Sequence, residues 1–127
     1  ILQEDPEERE LYKNMFMGAK GESIFLSIRF TEGLDLKGPD YPMNIIAKIP
    51  LENIKDEYVA QRNQHDNYKR YNWFAAVDVM QAAGRCTRSP DDFSETWILD
   101  SYWKNFFSRN RKKFQPWFTA ALKEGSI

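Results

Sequence analysis

Three short apolar segments alternate with helical segments along this chain, and this alternation limits the fold more than any other feature. Residues 23–30, 43–49 and 96–99 are rich in β-branched and aromatic side chains and are bounded by glycine, proline or aspartate, which predicts three buried strands. The predicted helices are residues 6–18, 56–64, 72–85, 101–110 and 115–123. Because strands that alternate with helices and are apolar on both faces belong to parallel sheets covered by helices, we predict an α/β sandwich of three layers with a mainly parallel sheet.

Several borders of these elements carry local signals. Pro6 suits the first turn of a helix and Gly18 its end, and Asn72 is predicted to cap the helix that runs to residue 85. Ile1–Gln3 is interpreted as the tail of a strand, so we expect the sheet to lack its first strand or strands.

The composition indicates one ordinary globular domain, residues 1–127, with 42% hydrophobic residues. The single cysteine, Cys86, excludes an internal disulfide framework and a cysteine-based metal site, so no metal ligands are predicted. Neither a membrane-spanning run nor a signal peptide is visible, which predicts a soluble protein without a membrane partner, cytoplasmic in a prokaryote or nuclear in a eukaryote. Because the chain starts with Ile1 rather than methionine, we expect a fragment of a longer protein.

The charge is unevenly distributed, although the net charge is only −1. Residues 4–10 are strongly acidic, whereas residues 109–113 are basic and lie among aromatic side chains. The basic segment could contact phosphates and bases, or its aromatic side chains could form the buried stripe of two terminal helices. We favour burial for the aromatic side chains, and the role of the charges stays open.

The first segment with unusual chemistry is residues 30–38, directly after the first predicted strand. Its sequence is Phe-Thr-Glu-Gly-Leu-Asp-Leu-Lys-Gly, so the carboxylates of Glu32 and Asp35 flank Gly33 at the end of a strand. Backbone can approach a ligand closely at glycine, and carboxylates can accept hydrogen bonds from a ribose or an arginine. Taken alone, this segment is better explained as a tight turn with solvated acids.

The second segment is residues 81–88, at the end of the helix predicted at residues 72–85. On a helix Gln81, Arg85 and Arg88 share one face, and Gly84 leaves that face open. A glutamine and two arginines can orient a water or a phosphate oxygen and neutralise the charge that develops in phosphoryl transfer. The dipole at a helix C-terminus also favours arginine, but that alternative does not explain the glycine.

Together these segments resemble two motifs of one helicase family. The pattern Gln-x-x-Gly-Arg-x-x-Arg is similar to helicase motif VI of superfamily two, and aromatic-x-Glu-Gly-x-Asp-x-x-Gly is similar to motif V of the XPD/DinG branch. Their order and spacing also agree, with an Asp-x-Tyr-Val helix at residues 56–59 between them. The resemblance extends from about Ile1 to Leu122.

The resemblance implies a RecA-like (P-loop NTPase-type) domain, the C-terminal motor half of an ATP-dependent DNA helicase. ATP and Mg²⁺ would lie between this half and an N-terminal RecA-like domain, with single-stranded DNA across both and movement from 5′ to 3′. By position, Arg88 resembles the arginine finger, Arg85 its partner on the phosphates, and Gln81 the residue that organises nucleotide and water. Gly84 belongs to the same nucleotide-binding motif.

The same resemblance assigns Glu32, Gly33 and Asp35 to the loop that couples the nucleotide to the grip on DNA. The phosphate-binding loop GxxxxGK[ST] and an acidic magnesium box are absent from this sequence and belong to the other half in this family, so the isolated chain is expected to be inactive. An iron–sulfur cluster, where relatives have one, would also belong to the parent protein and not to this chain. The sequence does not indicate whether the parent protein acts in DNA repair by excision, in replication or in recombination.

Two other functions are compatible with a fold of this class. A stand-alone nucleic-acid-binding or interaction module could keep this fold without ATPase activity, but it would have no need of Gln81, Arg85 and Arg88. A RecA-like enzyme acting on RNA is disfavoured by the form of the first motif. His65, the only histidine, is expected to be exposed, and Cys86 is expected to be a packing residue.

Overall fold

The computed structural model describes residues 5–26, 36, 40–86 and 93–123, and the chain divides into two compact units, residues 1–33 and 34–127. In the first unit, helix α1 spans Pro6–Gly18, as predicted. The Asp5 carboxylate caps it by accepting a hydrogen bond of 2.9 Å from the Glu7 amide.

The strand predicted at residues 23–30 is wrong for its described part. Residues 23–26 form no strand, and the side chains of Ile24 and Leu26 are each 84% exposed. Phe25 packs on Phe16 of α1, with 5.6 Å between ring centroids. A strand requires a neighbouring backbone to pair with, and the described residues of this unit provide only a helix. Residues 27–30 and the predicted strand tail Ile1–Gln3 lie outside the described residues.

The second unit is α/β with a parallel sheet, which confirms the predicted fold class. Strand β1 is Met43–Ile46 and strand β2 is Glu95–Ile98, and Met43 pairs with Glu95 through to Ile46 with Ile98. β1 begins at the predicted residue but ends three residues earlier than expected. β2 begins and ends one residue before its predicted bounds. The helices are α2 Glu57–Asp66, α3 Lys69–Ala83, α4 Trp103–Asn110, a 3₁₀ turn Arg111–Lys113 and α5 Pro116–Ala121.

β1 is not buried on both faces as the sequence predicted. Ile46 is buried, whereas Met43 and Ile45 are 56% and 50% exposed. The described sheet has two strands, and an apolar sequence does not specify how many elements cover each face of a sheet. The wrong expectation therefore concerns burial, not the class of fold.

The start of α3 corrects a second prediction. Asn67 and Tyr68 adopt left-handed backbone conformations with φ of 52° and 60°, and the helix begins directly after them, at Lys69. Asn72 lies inside the helix, where its side-chain Nδ2 donates to the Tyr68 carbonyl at 3.0 Å. The tight reversal from α2 to α3, and not a side-chain cap, sets the start of the helix.

The core of the second unit joins α3 to the aromatic residues of the C-terminal helices. Phe106 is completely buried, and Phe114 and Phe118 are 6% and 4% exposed with stacked rings 5.1 Å apart. The other buried members are Ile46, Ile49, Ala75, Ala76, Val79 and Met80. This confirms the interpretation of the C-terminal aromatic residues as a buried stripe, although Trp117 is 53% exposed.

Candidate functional site

The C-terminal end of α3 carries the three predicted site residues that the structure describes. Gln81 is exposed in the last turn, Gly84 is the residue after the helix, and Arg85 follows it half-buried. Together with Met80, they line one open hollow on the surface. Gln81, Gly84 and Arg85 therefore lie on one surface, but the predicted face also includes Arg88, so that face as a whole stays a prediction.

Gly84 occupies a position where the fold does not require glycine. Its backbone has φ of −80° and ψ of −1°, a right-handed conformation open to any residue. A Cβ atom there would lie 3.5 Å from the Met80 carbonyl oxygen and 3.8 Å from that of Gln81, which are ordinary van der Waals distances. Because glycine has no side chain, the helix end is bare, and a group from outside the domain could approach its backbone closely.

Two side chains from neighbouring strands hold this end of α3. Asn44 Nδ2 donates to the Ala82 carbonyl at 2.7 Å, and Thr96 Oγ1 donates to the Ala83 carbonyl at 3.3 Å. Asn44 and Thr96 are partners in the parallel register, so one rung of the sheet satisfies two of the last carbonyls of the helix. We call these two residues the strand clamp.

Sequence reasoning missed the strand clamp, although a signal was present. Asn44 is a polar residue inside an otherwise apolar strand, and a half-buried amide in that position needs hydrogen-bond partners. Its partners are backbone atoms, which no residue pattern identifies.

Two further contacts brace the elements around the site. The Asp100 carboxylate, just after β2, accepts hydrogen bonds of 2.9 Å from the backbone amides of Ile49 and Tyr102. These two amides hold the pKa of Asp100 below its ordinary value. On α3, the Met80 sulfur accepts a contact of 3.2 Å from the Gln115 amide before α5.

Four of the predicted site residues lie outside the described residues. They are Glu32, Gly33, Asp35 and Arg88. Gln81, Gly84 and Arg85 are brought together, and the position of the other four relative to them stays a prediction.

The two other chemically notable residues have the predicted environments. His65 is exposed near the end of α2. Cys86 is only 2% exposed, and its burial raises the pKa of the thiol, so the neutral, unreactive form is favoured. Within the described ranges no cluster of three or more acidic, histidine or cysteine side chains could hold a metal ion.

The hollow at the end of α3 brings together one cationic side chain and one amide side chain. Arg85 offers a planar guanidinium, which matches phosphate oxygens geometrically, and Gln81 offers both a donor and an acceptor.

None of the helices in the part of the chain that the structure describes is long and apolar enough to cross a membrane.

One protein-family model matches the chain, the helicase C-terminal domain, over residues 1–121. No solved structure matches it. The match includes both sequence segments singled out for their chemistry and every helix and strand described above. The small parallel sheet with its helices is consistent with part of a RecA-like domain of that family.

Proposed function

We propose a function from one premise: the chain belongs to the helicase C-terminal domain family, of the XPD/DinG type. In the parent protein this domain supplies one side of an ATP-hydrolysing site, and an N-terminal RecA-like domain supplies the other. Hydrolysis drives movement along single-stranded DNA from 5′ to 3′ and unwinding of the duplex ahead.

The observation that supports this proposal most directly is the bare end of α3. Gln81 is exposed, Gly84 lacks a side chain where the backbone would accept one, and Arg85 lies beside them. A helix end with a purely structural role does not need an exposed glutamine, a glycine and an arginine side by side. A surface that meets a triphosphate held by another domain does need it, because the approaching oxygens require room and positive charge.

Each side chain has a definite task in this proposal. ATP with Mg²⁺, when bound, supplies the phosphoanhydride bond that is broken. Arg85 binds phosphate oxygens and neutralises their charge, and Gln81 orients the attacking water through its amide. Arg88 reaches the terminal phosphoryl group as the arginine finger. Glu32, Gly33 and Asp35 transmit the nucleotide state to the DNA-binding surface.

The test is the DNA-stimulated ATPase activity of the full-length parent protein. Arg88→Ala is expected to lower turnover by about 10³-fold or more, the contribution of an arginine finger. Arg85→Ala should lower it by about 10²-fold, as for other single groups that stabilise developing charge. Arg70→Ala is the matched control, because Arg70 lies at the other end of α3 with a side chain 70% exposed and a long 3.9 Å ion pair to Asp66.

Near-normal turnover in both the Arg85 and the Arg88 variants would contradict the proposal and favour a module without ATPase activity. Thermal unfolding of each variant separates loss of function from loss of folding. The 127-residue chain alone is expected not to hydrolyse ATP, because it lacks a phosphate-binding loop.

A further inference from the structure

The C-terminal helices carry a large excess of positive charge that the nucleotide site does not use. From Ser101 to Lys123 the chain has six cationic side chains and no carboxylate, although its net charge is −1. The six are Lys104, Arg109, Arg111, Lys112, Lys113 and Lys123. The rest of the chain is therefore clearly acidic.

Four of these cations are exposed, on two consecutive elements of the chain. On α4, Phe106 and Asn110 are buried, whereas Lys104 and Arg109 are exposed. The 3₁₀ turn that follows adds Arg111 and Lys112, which are also exposed. We call Lys104, Arg109, Arg111 and Lys112 the basic face.

The basic face is not neutralised within the described part of the chain. The ion pairs there join Lys13 to Glu10, Arg62 to Glu52 and Arg70 to Asp66, and none includes a residue of the basic face. Neighbouring like charges repel one another and raise the free energy of the folded chain. Binding of a polyanion would remove that repulsion.

The helix dipole does not account for this arrangement. It favours cations at the C-terminal end of α4, which covers Arg109 and its successors. Lys104 is the second residue of α4, where the dipole disfavours a cation, and the first turn has no acidic residue. The charge therefore extends along the whole element and is not confined to the end that the dipole favours.

We propose that the basic face binds the phosphate backbone of single-stranded DNA, as a contact separate in its residues from Gln81 and Arg85. This proposal rests on the proposed function, because a helicase motor places single-stranded DNA against the domain. Lysine and arginine bind phosphates without reading sequence, and the exposed amide of Asn105 can donate to the same backbone. In the following helix, Trp117 is 53% exposed and available for stacking on a base.

The experiment measures binding of the 127-residue chain to a fluorescent oligothymidylate of about 16 nucleotides by anisotropy over a series of salt concentrations. The test variant combines Arg109→Gln, Arg111→Gln and Lys112→Gln. The control combines Lys20→Gln, Lys48→Gln and Lys55→Gln, three exposed lysines that remove the same charge elsewhere. Circular dichroism of all three proteins checks that they are equally folded.

The wild-type and control chains should give the same dependence of log K on log salt. The test variant should show a slope smaller by about 2, since each phosphate contact to a single strand contributes about 0.7. Equal slopes in the test and control variants would overturn the proposal. So would displacement of the oligonucleotide by polyglutamate at equal charge concentration, because the surface would then fit an acidic protein segment as well as DNA.

This proposal and the ATPase proposal fail separately. If Arg85→Ala and Arg88→Ala abolish ATPase activity while the test variant binds DNA like the control, only the basic face is refuted. If the test variant loses DNA binding while the arginine variants hydrolyse ATP normally, only the nucleotide site is refuted.

Discussion

Replacing Gly84 by alanine should stabilise the domain and impair the motor at the same time. The backbone at Gly84 has φ of −80° and ψ of −1°, and an added Cβ would be 3.5 Å from its nearest neighbour, the Met80 carbonyl oxygen. Alanine therefore fits without strain and restricts the unfolded chain, which should raise the free energy of unfolding by about 0.4–1 kcal/mol. For a domain of this size the melting temperature should rise by about 2–6 °C.

The same methyl group should reduce turnover in the full-length parent protein. It would occupy the bare helix end to which we assign the phosphates, and displacement of a reacting group by about an ångström can cost about 10²-fold in rate. Urea unfolding measures the first effect, and the DNA-stimulated ATPase rate measures the second. Gly18→Ala is the control, because an added Cβ at Gly18 meets nothing within 4 Å and no role in the reaction is assigned to it.

Two results would refute this reasoning. If Gly84→Ala lowered the free energy of unfolding by more than about 1 kcal/mol, the fold itself would require the glycine, as happens where the backbone cannot accept a side chain. If it stabilised the domain and left turnover unchanged, no group would approach the helix end closely.

Two further predictions concern stability. Asp100→Asn should lower the free energy of unfolding by about 1–2 kcal/mol at neutral pH, since the carboxylate accepts bonds from the Ile49 and Tyr102 amides. The pKa of Asp100 is lowered from 3.8, so this stabilisation is complete above that pH and is lost as the pH falls through the folded pKa. Urea titrations of both proteins should converge in acid, and a difference that stayed constant would contradict the assignment. Asn63→Leu should raise the free energy of unfolding by about 1 kcal/mol, because both polar atoms of this buried side-chain amide lack a hydrogen bond. Asn110→Leu should lower the free energy of unfolding by a similar amount, because Asn110 Nδ2 donates a hydrogen bond of 3.0 Å to the Phe106 carbonyl. Equal changes in the two leucine variants would show that hydrogen bonding does not distinguish these asparagines.

The order of elements in the second unit could be predicted because local patterns determine it. The apolar segments at residues 43–49 and 96–99 and the amphipathic helices between and after them are visible in the sequence. The exposure of Met43 and Ile45 could not be predicted, because it depends on how many strands and helices surround β1. The start of α3 was missed because it depends on the left-handed backbone of Asn67 and Tyr68 between two helices, and no residue pattern indicates that conformation for a tyrosine.

Part of the candidate site could likewise be predicted from the sequence, and part could not. Helical spacing predicts that Gln81 and Arg85 share a face of one helix. The helix ends at Ala83, two residues earlier than predicted, so Arg85 follows it, although both side chains line the same hollow. The backbone at Gly84 and the strand clamp depend on contacts between distant segments, and neither follows from a residue pattern. Arg88 and the carboxylates of Glu32 and Asp35 remain predictions that rest on the resemblance.

The strand clamp also has a consequence for when the site can form during folding. Asn44 and Thr96 reach the end of α3 from strands that lie on opposite sides of it in the sequence, so the complete strand clamp requires both strands to be in place. Contacts of this kind form late, because the intervening chain must first lose its freedom. A peptide that contains α3 alone would have every residue of the helix end but not its geometry, and a partly folded chain would be unable to meet a nucleotide before its sheet had closed.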